Sequence, residues 1–195
     1  MARRGLGLWI LSVLGGAVTG ALFGWAPTVA VNWPRFAYLG GLVIISVALG
    51  GVPWIALSRR WVWWLGSTIG GIVGALVGGF TIIALFGLGL NICLDGSGCP
   101  QPPFPSTENL VLFTVLIGLF GAGQALTLAG WSRKLGWFIT SVIAGAVFGE
   151  GLQVVSTIVG ANPAKPGIGP SIAAGIGCGA VLGAGALLLR QRAMD

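Results

Sequence analysis

The chain contains no histidine. Histidine is the commonest general base, the commonest metal ligand and the usual axial ligand of haem. A haem, zinc or copper centre is therefore poorly served, and chlorophyll magnesium lacks its usual protein ligand. Acid is scarce too: four Asp and Glu against ten Lys and Arg. The apolar stretches hold no acid pair and no Ser-Lys arrangement. Hydrolysis and redox chemistry need positioned bases, nucleophiles or metals, so the chain is read as non-enzymatic, with no cofactor and no nucleic-acid partner expected.

Charge of either sign is rare. Charged residues make up 7% of the chain and hydrophobic ones 55%, whereas a soluble domain carries about 25% charged residues. A soluble fold must cover its surface with polar groups, and here there are too few. Lipid tolerates such a surface. Each crossing of the hydrocarbon takes about 20 residues.

Six such stretches are present. The first span is expected over 6–25, the second over 36–57, the third over 62–90, the fourth over 109–130, the fifth over 135–160 and the sixth over 168–189. The predicted fold class is an all-α integral membrane protein, a six-helix transmembrane bundle forming a single domain over 1–195. Met1-Ala2-Arg3-Arg4 ahead of an apolar run has the outline of a signal peptide. The match of the first span to later ones, described below, reads it instead as a membrane helix.

Basic residues set an orientation. Arg3, Arg4, Arg59, Arg60, Arg133, Lys134, Arg190 and Arg192 fall on one side of this map; Arg35 and Lys165 fall on the other. Short loops rich in Lys and Arg stay cytoplasmic, which puts both termini inside. Trp9, Trp54, Trp61, Trp63, Trp64, Trp131 and Trp137 gather at the same interface, where the indole ring is apolar and its N–H is wet.

Glycine is abundant, 36 residues in 195, with no collagen-like period. Small residues let membrane helices approach closely. Ser12, Ser67 and Ser141 stand in register: four residues on come Gly16, Gly71 and Gly145, and four further Gly20, Ala75 and Gly149. The even spans each end in a Leu followed by basic residues. Three tandem hairpins are expected, over 6–57, 62–130 and 135–189, with an outer loop over 91–108, related as parallel repeats about an axis along the membrane normal.

Gly66, Gly70, Gly74 and Gly78 form one ridge of the third span, and Ser67, Gly71, Ala75 and Gly79 the next. Gly175, Gly179 and Gly183 repeat the idea in the sixth. These faces suit helix packing inside the bundle, or docking of a partner subunit, a second copy, a pigment tail or a lipid.

Glu150 is the one acid deep in a span. An acid at a helix centre is unfavourable by roughly 3 kcal/mol. No basic residue is expected at its depth, so it must be protonated, meet water, bind a cation or pair with another chain. Gln153, three residues on, is close enough to share a polar pocket. Gln124 completes the candidate intramembrane polar set. In the outer loop Cys93 and Cys99 flank a Gly-Ser-Gly stretch, and an oxidising compartment favours a disulfide there. Metal binding is the weaker rival, since two thiols without histidine are a thin ligand set. Cys178 reads as a small packing residue.

The run Gly121-Ala122-Gly123-Gln124-Ala125-Leu126-Thr127-Leu128, then Arg133-Lys134, Gly136-Trp137, Gly145 and Gly149, resembles a loose group of small bacterial polytopic membrane proteins, numerous in phototrophic bacteria. They repeat a glycine-glutamine-leucine helix end, a basic turn and a tryptophan-led glycine-rich helix. Pro53 stands where that glutamine would be in the first hairpin. The resemblance implies a bacterial cytoplasmic or internal membrane and carries no activity and no site. With sparse polar chemistry and many small-residue faces, an accessory or scaffolding subunit of a larger membrane complex is the leading expectation. A photosynthetic or respiratory complex would suit the resemblance. The alternative is a small-solute or ion transporter component using Glu150.

Overall fold

The computed structural model describes residues 2–29, 61–90, 105–161 and 167–191. Five α-helices fill them: α1 (Ala2–Val29), α2 (Val62–Leu90), α3 (Pro105–Ala125), α4 (Trp131–Ile158) and α5 (Ile168–Gln191). The second expected span, Cys93 and Cys99, and Arg35, Arg59, Arg60, Lys165 and Arg192 lie outside the described residues. Three segments are long and apolar enough to cross a membrane: Gly5–Trp25, Trp131–Ile158 and Ile168–Arg190. α2 and α3 contribute shorter apolar stretches, Val62–Gly78 and Leu110–Ala125.

The helix ends have local causes. Pro105 opens α3 and Pro170 lies in the first turn of α5. In that turn a missing N–H breaks no ladder bond. α4 ends in a Schellman motif. Ala161 N–H donates to Ser156 O at 2.8 Å and Gly160 N–H to Thr157 O at 3.2 Å. Gly160 takes φ 68°, a left-handed conformation that glycine adopts without steric penalty.

The turn between α3 and α4 corrects two expected boundaries. α3 stops at Ala125 rather than about Gly130. Thr127 N–H and Leu128 N–H bond to Gln124 O and Ala125 O, three residues back, which tightens the last turn. Gly130, at φ 80°, redirects the chain, and α4 begins at Trp131 rather than about Leu135. Arg133 and Lys134 therefore belong to the first turn of α4, not to a connecting loop.

Glycine brings the helix backbones into contact. A Cβ on Gly16 would overlap Gly175 O, one on Gly175 would overlap Gly16 O, and one on Gly179 would overlap Ser12 O. α1 and α5 thus meet backbone to backbone, and Gly183 adds a contact to Ser12 and Trp9. Between α2 and α3, Gly66 and Gly123 are reciprocally close. Cβ atoms on Gly70 and Gly74 would stand 2.6 Å from Leu119 O and 2.7 Å from Leu116 O, and Gly78 faces Leu112. Gly145 of α4 abuts Phe113 O of α3. Each of these glycines works inside the bundle, which is the first of the two expected uses. Gly71 and Gly149 are buried as well.

The neighbour order is α2–α3–α4–α5–α1. Phe23 of α1 turns this row inward: its ring lies edge-on to Phe113 of α3 at 5.2 Å and to Phe148 of α4 at 5.7 Å. Three hydroxyls of the interior are satisfied locally. Ser67 Oγ donates to Trp63 O, Ser141 Oγ to Trp137 O and Thr19 Oγ1 to Gly15 O, each to the carbonyl four residues back. The outer surface is apolar, with Leu14, Val18, Ile69, Ile143, Val154 and Leu188 exposed. Water disfavours such a surface and lipid does not.

Candidate intramembrane polar sites

Gln124 lies in the last turn of α3 and is fully buried. Its Nε2 donates to Ser67 Oγ of α2 at 2.9 Å, and its Oε1 accepts from Trp137 Nε1 of α4 at 2.8 Å. The amide orientation follows from its partners. An indole N–H only donates, so Oε1 must face it. Ser67 spends its one hydrogen on Trp63 O at 2.7 Å, so its oxygen is left to accept from Nε2. The rings of Trp63 and Trp137, both fully buried, lie 5.7 Å apart. One side chain thus ties three helices together. Nothing in it titrates and no nucleophile is released; chemically it is a clamp.

Glu150 is placed otherwise than its solvation suggests. It lies on the outer face of α4, exposed, in a stripe with Ile143 and Val154. Helical phase explains this. The buried face of α4 comprises Trp137, Ser141, Ala144, Gly145, Phe148, Gly149, Leu152 and Ser156. At about 100° per residue, Glu150 projects roughly 170° from the centre of that face. The glycines at 145 and 149 carried this signal, because a small-residue ridge that packs inward turns residue 150 outward. Among the described residues the carboxylate has no partner.

The expected polar set does not assemble. Gln124 bonds to Trp137, and thirteen residues of α4 separate Trp137 from Glu150, about 20 Å along the axis. Gln153 flanks the buried face, and its Oε1 is enclosed without a hydrogen-bond partner. Ser156, fully buried, and Thr114 of α3 leave a hydroxyl oxygen likewise unpaired. Cys178 is fully buried and free, as a packing residue should be. Among the described residues no group of three His, Cys, Asp or Glu side chains comes together. Sequence reasoning missed the roles of Trp63, Ser67 and Trp137 around Gln124, since only the α2–α3–α4 packing brings residues 67, 124 and 137 to one point.

No family model matches the chain, and neither a curated protein nor a solved structure shows significant similarity to it.

Proposed function

We propose that this protein is a non-catalytic accessory or scaffolding subunit of a larger membrane assembly, docking through the outer face of α4 around Glu150. The observation that carries this reading is the outward placement of Glu150 in an apolar stripe. A carboxylate facing hydrocarbon is strongly disfavoured, and intramembrane ionisable groups face a bundle interior, water or a partner. The bundle interior lies on the other side of α4. A second chain offering a hydrogen-bond donor or a cation at this depth resolves the placement. Gly66, Gly70, Gly74 and Gly78 of one ridge and Gly175, Gly179 and Gly183 of the other face helices of the bundle, which favours the outer face of α4 over them as the docking surface.

In this reading the whole chain is a six-helix bundle of three tandem hairpins, with both termini in the cytoplasm of a bacterial cell. The shared bond of Ser67 and Ser141 to a tryptophan carbonyl four residues back supports the repeat. Exposed Trp61 and Trp131, beside the basic turns, support the orientation.

Photo-crosslinking tests the docking face. A crosslinker at Val154 should give a discrete adduct with another membrane polypeptide in native membranes, and Glu150→Leu should abolish it. An adduct that forms equally with Glu150→Leu, or a protein crosslinked only to lipid, overturns the proposal.

A second reading, a small-solute or ion transporter component, is favoured by one observation: Gln153 Oε1, Ser156 Oγ and Thr114 Oγ1 are buried and unpaired. Such atoms suit a hydrated path. Solute flux in proteoliposomes that falls with Gln153→Leu and Ser156→Ala would move this reading ahead of docking.

A further inference from the structure

The end of α5 lies between the beginnings of α1 and α4. Gly5 of α1 approaches Leu187 Cδ2, to 3.7 Å from an added Cβ, and a Cβ on Gly136 of α4 would meet Leu189 Cδ2 at 2.8 Å. The indole of Trp9 pins α1 to α5 by donating to Ala180 O at 3.1 Å. Three helix ends distant in sequence therefore form one corner. The α4 and α5 ends carry Arg133 and Lys134 in the first turn of α4 and Arg190 in the last turn of α5.

No acid balances this corner among the described residues. Glu108 stands in the first turn of α3, at the opposite end of that helix from the turn leading into α4. Glu150 is sixteen residues beyond Lys134, about 24 Å along α4. Arg190 is exposed, and Arg133 and Lys134 are half-exposed. Immediately inward, the surface becomes apolar: Leu135 is 45% and Leu188 61% exposed. Trp131, 77% exposed, marks the boundary between the two, at the level where indole prefers to sit.

We infer that this corner is a binding site for anionic phospholipid. The ligand must be amphipathic. The guanidinium and ammonium groups carried by these neighbouring helix ends match a phosphodiester, and the exposed leucines one turn inward match acyl chains. Free phosphate would use only the first half of the site. Basic residues on several helices at one membrane face are a recurrent headgroup site. Here the tertiary contacts of Gly5 and Gly136, rather than a run of basic sequence, assemble it. The inference rests on the chain lying in a membrane and is independent of the docking role of Glu150.

Native mass spectrometry of the full chain, exchanged from detergent with phosphatidylglycerol, cardiolipin or phosphatidylcholine, tests the site. The two anionic lipids should be retained in preference to phosphatidylcholine, and the preference should shrink as ionic strength rises. R133Q, K134Q and R190Q should each weaken anionic-lipid retention about fivefold, the equivalent of about 1 kcal/mol for a basic residue at a membrane surface. Arg190→Lys should retain the preference. Inorganic phosphate at millimolar concentration should not displace the lipid. Equal retention of phosphatidylcholine by the unmodified protein overturns the site, as does an unchanged preference in the triple glutamine variant. Full displacement by inorganic phosphate would show an anion site without lipid character and likewise overturn it.

Discussion

Trp137 donates its indole hydrogen to Gln124 Oε1 across 2.8 Å, with both side chains withdrawn from the surface. The pair joins the end of α3 to the beginning of α4 across the glycine turn, and Ser67 extends the link to α2. A polar group in an apolar interior is strongly disfavoured when unpaired. The bonded arrangement is therefore specific: sliding any of the three helices by one residue would strand the amide, the indole or both.

Gln124→Leu should lower stability by about 1–3 kcal/mol, because it leaves the Trp137 N–H buried without an acceptor. Trp137→Phe strands the amide oxygen instead. The double variant should lose less than the sum of the singles, since the interaction can be removed only once. Unfolding titrations in mixed micelles provide the four values of the cycle. Strict additivity would mean that the two side chains act independently, and the clamp would be discarded.

Neighbouring glycines of α1 should behave oppositely. Gly16→Ala drives a methyl into Gly175 O, whereas a Cβ on Gly15 meets nothing within 4 Å. Overpacking of this kind destabilises by about 1–3 kcal/mol, so Gly16→Ala should loosen α1 from α5 while Gly15→Ala is neutral. Likewise Gly74→Leu, aimed at the α3 backbone, should impair folding more than Leu76→Ala, which trims an exposed side chain. Thermal stability of the purified variants checks both contrasts.

The orientation is tested by labelling in a Cys93→Ser, Cys99→Ser background, with Cys178 left in place because it is fully buried. Ser132→Cys, at an exposed position in the first turn of α4, should resist an impermeant maleimide added outside. Ala164→Cys, beside Lys165, should react. Outside labelling at residue 132 would invert the topology.

Five of the six expected spans coincide with helices, because length and unbroken apolarity are properties of the sequence alone. Ends are set by finer causes. The α3–α4 junction follows the φ of Gly130, and a basic pair that looks like a loop continues helically into Trp137. The glycine ridges were legible as packing surfaces, but which helix each meets depends on tertiary order: α1 meets α5 through Gly16 and Gly175, elements at opposite ends of the chain. The polar residues were the least legible. Gln124 is defined by partners 57 residues before and 13 after it. The cost of burying Glu150 is readable in the sequence, and its direction follows once Gly145 and Gly149 are taken to mark the covered face of α4.

That direction yields the last prediction, on two adjacent residues. Gly149 lies in the buried face of α4 and Glu150 outside it. Gly149→Leu puts a branched side chain into the interior beside Phe148 and Leu152, both of which are already enclosed. It should yield little folded protein. Glu150→Leu removes no hydrogen bond and no ion pair among the described residues. It also extends the apolar stripe of Ile143 and Val154, so the isolated chain should fold and melt like the parent. The docking proposal requires both halves of this contrast, because only a residue idle within its own chain is free to serve another. Circular dichroism melts of the two purified variants in the same detergent measure it. A large drop in melting temperature for Glu150→Leu would mean that the carboxylate is a structural element of this bundle, and the outer face of α4 would lose its claim as a docking surface.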